Sequence, residues 1–348
     1  MTILVSALEH SANIHLKSLK QYLDDDIKFV GIFDKNLGEP IVDLQNLAIM
    51  GFVDVLKKLF FFIKLNNQMV NLAQDTHKIL LIDSSGFNLP LAKKIKKKYP
   101  DKEIIYYILP QAWAWKKKRI PILENTIDKL ASILPFEKNY YSKNANITYM
   151  GHPLLDQIKI FKTSINKDIK KIAFMPGSRK GEITKLIPIY KELLKSLPGI
   201  EPILIIPKYF TKNEIKNLYG DISTFTITND TYSTLVDVDF AFICSGTATL
   251  EASLIGVPFI LTYIAKPLDY FIVKKFVKLK YIGLANIMFE KYNGTTLHPE
   301  LVQDEVTIKN LLNLYKNYNR ENFFNKSQEL KNYLQHGSSK NIAKLIME

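Results

Sequence analysis

The sequence predicts an α/β protein built from two doubly wound domains, and three observations carry that expectation. Short, near-continuous apolar runs recur along the chain, amphipathic stretches separate most of them, and the runs form one series in each half. In the first half, Ile3–Ser6, Phe29–Phe33, Ile79–Asp83, Ile104–Leu109, Leu130–Leu134 and Ile147–Met150 read as buried strands. The second series is Ile172–Met175, Ile203–Ile206, Thr224–Ile227, Phe240–Cys244 and Phe259–Tyr263. Strands apolar on both faces, with helices such as Leu89–Lys98 between them, belong to parallel sheets covered on both sides.

A chain of 348 residues is too long for one ordinary core. The pattern lapses between Pro153 and Lys171, in the polar, lysine-rich DQIKIFKTSINKDIKK. This places a first Rossmann-like domain over 1–165 and a second over 166–318, followed by C-terminal helices over 319–348 that have the option of packing back on the first domain. After about Glu300 the chain reads as wholly helical, through Leu301–Tyr318 and Asn322–Leu334.

Composition narrows the class. Hydrophobic residues make up 47% and charged residues 23%, as in folded globular proteins. Cys244 is the only cysteine, which excludes an intramolecular disulfide and a Cys-rich zinc site and fits a reducing cytosol. The opening MTILVSALEH reads as a strand rather than a signal peptide. No run reaches the about 18 to 20 apolar residues that span a bilayer. The net charge of +13 suits nucleic acid, an anionic membrane surface or a phosphorylated substrate, without choosing among them. Lys93, Lys94, Lys96, Lys97 and Lys98 share one helix and read as a solvated face.

Two strand-to-helix turns in the second half suit a nucleotide diphosphate. In Pro176-Gly-Ser-Arg-Lys-Gly-Glu182, Gly177 and Gly181 allow close backbone approach, Ser178 is small and polar, and Arg179 supplies a planar cationic fork. The glycine spacing is not that of a Walker A loop, and a plain turn with an exposed arginine fits equally. In the second turn, Ser245-Gly246-Thr247 opens a helix that should stop at Gly256. Its hydroxyls either cap that helix or meet a phosphate, with Glu251 one turn on, within reach of a ribose diol.

The first half offers other chemistry. Asp83 ends the strand KILLID and can act as a general base or cap the following helix. Glu9, His10, Ser11 and Asn13 are polar candidates in the first strand-to-helix loop, and His152 in Gly151-His-Pro153 can equally be a hinge residue. The six histidines show no ligand spacing, so neither a metal nor a cofactor is expected. The greasy basic stretches Ala48–Leu65 and Leu268–Lys280 read as core helices with outer lysines or as interfacial segments. Trp113 and Trp115 add aromatic bulk beside four cations, and no nucleic-acid motif emerges.

Taken in order, these segments resemble the lipid-A-disaccharide synthase family, inverting glycosyltransferases of the GT-B architecture with two Rossmann-like domains facing a cleft. The matching stretches are Ala48–Leu56, Ile82–Asn88, Gln111–Trp115, Leu134–Glu137, Gly151–Pro153, Pro176–Glu182, Ser245–Glu251, Tyr281–Asn286 and Gln303–Glu305. The resemblance implies joining UDP-2,3-diacylglucosamine to the 6-hydroxyl of 2,3-diacylglucosamine 1-phosphate. The products would be a β-1,6 disaccharide 1-phosphate and UDP. It implies a peripheral protein on the cytoplasmic face of the inner membrane, no nucleic-acid partner, and leaves a homodimer open.

By the same resemblance, the first domain binds the acceptor and its acyl chains and the second binds the UDP-sugar. Asp83 is the general base, accompanied by Glu9. Arg179 holds the diphosphate with Gly177 and Ser178. Ser245, Gly246, Thr247 and Glu251 form the nucleotide loop, with Asn286 and Gln303 near it. Ser11, Asn13 and His152 fall on the acceptor side. Two departures stand out. Where the family shows Gly-Glu-x-Ser-Gly-Asp, this chain has Leu8-Glu9-His10-Ser11-Ala12-Asn13, and the second aspartate of Asp-x-x-Asp-Phe is Gly86. The runner-up readings are another GT-B transferase or a UDP-sugar epimerase, and a non-catalytic basic protein that binds lipid or nucleic acid.

Overall fold

The computed structural model describes residues 1–42, 55–265 and 280–348. The parts of the greasy basic stretches at 48–54 and 268–279 lie outside the described residues. The chain forms two compact units, Met1–Asp156 with Gln335–Glu348, and Gln157–Leu334.

In the first unit, β1 (Thr2–Ser6), β2 (Lys28–Ile32), β3 (Lys78–Ile82), β4 (Glu103–Tyr107), β5 (Lys129–Ser132) and β6 (Ile147–Tyr149) form one sheet, ordered β2-β1-β3-β4-β5-β6. Every pairing is parallel. Residue alternation along the strands sorts the core into two faces. Leu4, Ile79, Leu81, Ile104, Tyr106 and Leu130 pack in one cluster, and Ile3, Val5, Leu80, Ile82, Ile105 and Tyr107 in the other. Because both faces are covered, the strands read as continuous apolar runs rather than alternating ones.

The second face also receives the end of the chain. Helix Ser338–Met347 buries Ile342 and Ile346 beside Leu16 and Val5. Asp156 accepts from the backbone N–H groups of Gly337 (2.8 Å) and Ser339 (2.7 Å), and the Tyr107 and Ser338 hydroxyls meet at 2.8 Å. Gly151 explains the tightness of this seam. Its φ is +90°, and a Cβ there would come within 3.1 Å of the His336 carbonyl oxygen.

The second unit repeats the plan with β7 (Lys171–Met175), β8 (Glu201–Ile205), β9 (Thr226–Thr228), β10 (Phe240–Cys244), β11 (Phe259–Tyr263) and β12 (Glu300–Val302), ordered β12-β11-β10-β7-β8-β9. Each pairing is again parallel. Phe174, Phe240 and Phe242 line one face against Tyr190 and Leu186 of helix Lys180–Leu194. The two-sheet parallel α/β plan with a C-terminal helix is the predicted fold class.

One correction concerns the stretch after Glu300. It begins with β12 and not a helix, pairing Leu261 with Glu300 and Tyr263 with Val302 on the sheet's edge. Three residues with one buried side chain carry too little pattern to show as a strand. The helix that follows is Ile308–Lys316, capped by Thr307, whose hydroxyl accepts from the Asn310 N–H.

Candidate active site

In an open parallel sheet, ligands bind beyond the carboxyl ends of the strands, where the strand order reverses. Each unit has one such point. In the first sheet the chain goes outward from β1 to β2 and restarts at β3, so the reversal lies between β1 and β3. In the second it lies between β7 and β10. Glu9, Asp83, Arg179 and the Ser245–Thr247 turn lie just beyond these four strands.

Beyond β1 and β3 stand Glu9 and Asp83. Glu9 is the N-cap residue of helix His10–Lys20, and its carboxylate accepts from the Ser84 hydroxyl at 3.1 Å. Asp83 and Ser84 are both left-handed, with φ of +51° and +43°. Two successive non-glycine residues in that region are strained, and such strain persists only where neighbours over-determine it. Here the Asp83 N–H donates to the Tyr107 carbonyl at 3.1 Å. The Asp83 carbonyl in turn accepts from the Tyr106 hydroxyl (2.6 Å) and from Asn88 Nδ2 (2.8 Å). Asn88 is itself held by the Ser6 hydroxyl at 2.6 Å. The following helix, Ser85–Lys98, has Ser84 as its N-cap and no side-chain cap, so Asp83 is not spent on capping. Burial raises the Asp83 pKa, the Glu9 charge raises it further, and the Ser84 N–H acts the other way.

The remaining acceptor-side candidates differ in accessibility. Ser11 is exposed in the first turn of helix His10–Lys20. Asn13 is buried and fully engaged: its Nδ2 donates to the carbonyls of Ala7 (2.7 Å) and Glu9 (2.8 Å), and its Oδ1 accepts from the Asp34 N–H at 2.7 Å. It therefore shapes the loop that carries Glu9, a task an ionised aspartate cannot perform with the same two carbonyls. His152 is buried in the seam. Its N–H donates to the Gln335 carbonyl at 3.1 Å, and its Nδ1 accepts from the Leu154 N–H at 3.3 Å. Burial, with His15 nearby, lowers its pKa to about 3.

Beyond β7 and β10 lie the two phosphate-suited turns, on adjacent strands registered Met175 with Ile243. Gly177 has φ of +101°, and a Cβ there would lie 2.5 Å from Glu182 Oε2. Only glycine leaves room for that carboxylate, which orders the turn. Glu182 Oε2 accepts from the Arg179 N–H at 3.3 Å, and Oε1 pairs with Arg179 Nη1 at 3.2 Å. Glu182 is a residue to which the sequence assigned no role. The Arg179 side chain is 80% exposed while Glu182 is 10% exposed, so the pair aims a cation outward from a buried anchor. Ser178 is exposed, and its carbonyl accepts from the Tyr209 hydroxyl at 2.7 Å.

In the other turn, Gly246 is the N-cap of helix Thr247–Ile255, with φ of +148° and no side-chain cap. Ser245 is half-buried, and Gly246 and Thr247 are exposed. The Ser245 and Thr247 hydroxyls thus do not cap this helix. Glu251, one turn inside, accepts from the Tyr232 hydroxyl at 3.2 Å, and burial raises its pKa. Helices Lys180–Leu194 and Thr247–Ile255 both present their positive ends at this edge.

Asn286 and Gln303 are placed differently. Asn286 is fully buried. Its Nδ2 donates to His298 O (2.8 Å) and Glu300 Oε1 (2.7 Å), while its Oδ1 accepts from the N–H groups of Leu297 (2.8 Å) and His298 (3.0 Å). Every hydrogen-bonding position of this amide is filled, so it braces the 297–300 turn against helix Leu284–Asn293. Gln303, at φ +55° just beyond β12, accepts through Oε1 from the Ala265 N–H at 3.1 Å. Among the described residues no three His, Cys, Asp or Glu side chains gather as a metal site.

Solved structures share this arrangement. A UDP-GlcNAc 2-epimerase from Neisseria meningitidis bound to UDP-GlcNAc superposes with a TM-score of 0.61, covering 99% of this chain and 98% of that one at 12% identity. The spinosyn rhamnosyltransferase SpnG complexed with thymidine diphosphate gives 0.60, over the whole of both chains at 10% identity. At such identities the likeness establishes the two-domain GT-B fold alone. Sequence relatives say more. The lipid-A-disaccharide synthase of Helicobacter pylori is 49% identical, over 98% of this chain and 97% of that protein. The enzyme of the same name from Campylobacter jejuni is 48% identical, over 100% and 99%. The lipid-A-disaccharide synthetase family profile matches residues 3–346, and the chain belongs to that family of glycosyltransferases.

Proposed function

We propose that this glycosyltransferase joins UDP-2,3-diacylglucosamine to 2,3-diacylglucosamine 1-phosphate, giving the β-1,6-linked lipid A disaccharide 1-phosphate and UDP with inversion at the donor C1. The observation that carries the reading is the division of labour between the two reversal points. One presents a half-buried carboxylate on the strained backbone of Asp83, and the other an anchored arginine at a helix N-terminus, on the strand next to the one that leads into a second helix.

In this mechanism the Asp83 carboxylate takes the proton of the acceptor 6-hydroxyl as that oxygen forms its bond to C1. The bond from C1 to the β-phosphate oxygen breaks on the opposite side. The charge that collects on UDP meets Arg179, the backbone at Gly177 and Ser178, and the Ser245-Gly246-Thr247 turn. Glu251 takes the ribose diol. Glu9 keeps Asp83 basic by its charge and holds Ser84. Ser11 faces the acceptor, and Asn13, His152, Asn286 and Gln303 act by fixing the loops around the two sites.

The acyl chains and a peripheral position at the cytoplasmic face of the inner membrane draw support from helix Val55–Leu72. Its Phe60 is 70% exposed and its Ile63 45% exposed. The same helix packs through Phe62 against Phe87, four residues from Asp83, with ring centroids 6.1 Å apart. Among the described residues no helix is long and apolar enough to cross a membrane. The test is to incubate the purified protein with both acylated substrates and follow the products by mass and proton NMR. A disaccharide monophosphate with a β anomeric coupling, formed in step with UDP, is expected. UDP-sugar epimerised or hydrolysed without acceptor would overturn the assignment.

A further inference from the structure

The acceptor assigned above is an anion as well as an alcohol, and Asp83 accounts only for the alcohol. Its 1-phosphate on C1 and its 6-hydroxyl, carried by C5, flank the ring oxygen. A site that presents the hydroxyl to Asp83 therefore needs a cationic group near that base and not in contact with it. Arg119 meets that description. It closes the short helical turn Lys117–Arg119 beyond β4, and its Nη1 donates to the Ser85 hydroxyl at 2.7 Å. Ser85 is two residues past Asp83 and opens helix Ser85–Lys98.

The guanidinium is half-exposed, and among the described residues it pairs with no carboxylate. One of its five N–H donors is engaged with Ser85, which fixes its position and leaves the others for a ligand. Arg179, by contrast, is tied to Glu182. Space beside the residue after Ser85 is open, since a Cβ on Gly86 would meet nothing within 4 Å.

We propose that Arg119, steadied by Ser85, binds the anomeric phosphate of the acceptor and sets the preference for a phosphorylated acceptor sugar. This inference rests on the disaccharide-forming reaction proposed above, and the experiment separates the two. Initial rates are measured with UDP-2,3-diacylglucosamine and either 2,3-diacylglucosamine 1-phosphate or its dephosphorylated counterpart. Wild type, Arg119→Gln, Arg119→Lys and Ser85→Ala are compared.

Arg119→Gln is expected to lose about 10- to 100-fold in kcat/KM for the phosphorylated acceptor, mostly through KM, as for the loss of a charged hydrogen bond. Its KM for the donor and its rate with the dephosphorylated acceptor should match wild type. Arg119→Lys and Ser85→Ala should fall between, and because Ser85→Ala leaves the charge in place, it guards against a variant that fails to fold. Equal losses on both acceptors, or a raised donor KM, would overturn the assignment of Arg119 while leaving the reaction intact. Absence of disaccharide from wild type with either acceptor would overturn the reaction and the inference together.

Discussion

Glu137 is a buried carboxyl that ties the stability of the first unit to pH. It lies beyond β5, is 1% exposed, and its Oε1 has no hydrogen-bond partner among the described residues. Its Oε2 lies 2.5 Å from Ser132 Oγ, which also lies 3.0 Å from the Leu134 carbonyl and accepts from the Leu134 N–H at 3.1 Å. The Ser132 hydroxyl donates to Oε2, and the buried Oε1 without a partner favours the neutral carboxyl. Burial outweighs that hydrogen bond and raises its pKa from 4.5 to about 8.

A raised carboxyl pKa means that the folded protein holds a proton which the unfolded chain releases. The associated stability is fully present below pH 4.5 and is lost as the pH rises through about 8. Within that window one proton corresponds to about 1.4 kcal/mol per pH unit, so wild type should lose roughly 2 to 3 kcal/mol between pH 5.5 and 7.5 through this group. Glu137→Gln keeps an acceptor for the Ser132 hydroxyl and cannot ionise, so that slope should vanish. Trp113 and Trp115 are the only tryptophans, and both belong to the first unit. The Trp113 ring sits 4.9 Å from that of Phe136, the neighbour of Glu137. Tryptophan fluorescence in urea, repeated across pH, therefore reads this unit. Parallel pH curves for wild type and Glu137→Gln would refute the neutral carboxyl.

Three further predictions test the loops. Glu9→Gln removes one of the influences that raise the Asp83 pKa, so the acidic limb of kcat/KM against pH should move to lower pH; an unmoved limb would deny the coupling. Asn13→Asp replaces the donor that serves the Ala7 and Glu9 carbonyls with an acceptor, and should destabilise the first unit by about 1–3 kcal/mol at pH 8 and by less at pH 5, where the new carboxyl can hold a proton. No difference in urea midpoint at pH 8 would contradict this. Gly177→Ala puts a methyl 2.5 Å from Glu182 Oε2 at φ +101°, and should weaken UDP binding about tenfold or more by calorimetry while costing roughly 1–3 kcal/mol of stability. Unchanged UDP affinity would mean that the Glu182 anchor does not set the Arg179 geometry.

What the sequence reveals about this fold depends on how local the signal is. Strands buried on both faces announce themselves as apolar runs, and those of both sheets are legible within a residue or two. β12 is not, because its pairing with β11 decides what three residues with one buried side chain become. The same limit governs the candidate site. Asp83, Gly177, Arg179 and Thr247 follow from strand-to-turn-to-helix position alone. Asn13, Asn286 and His152 look like ligand residues in one dimension, since a side chain that serves a substrate and one that serves a backbone carbonyl are of the same type. Their roles depend on Asp34, on His298 and Glu300, and on Gln335, partners set by tertiary closure rather than by spacing. Glu182 was visible as part of a motif, but its grip on Arg179 was not.

The central claim is that chemistry and leaving-group binding reside at separate reversal points, one in each unit. Turnover and UDP affinity measured on Asp83→Asn and Arg179→Ala test it most directly. Asp83→Asn should lose about 100- to 10,000-fold in kcat, as for a general base, and bind UDP as wild type does. Arg179→Ala should lose UDP affinity together with turnover. Near-wild-type turnover by Asp83→Asn with UDP binding intact would contradict the account.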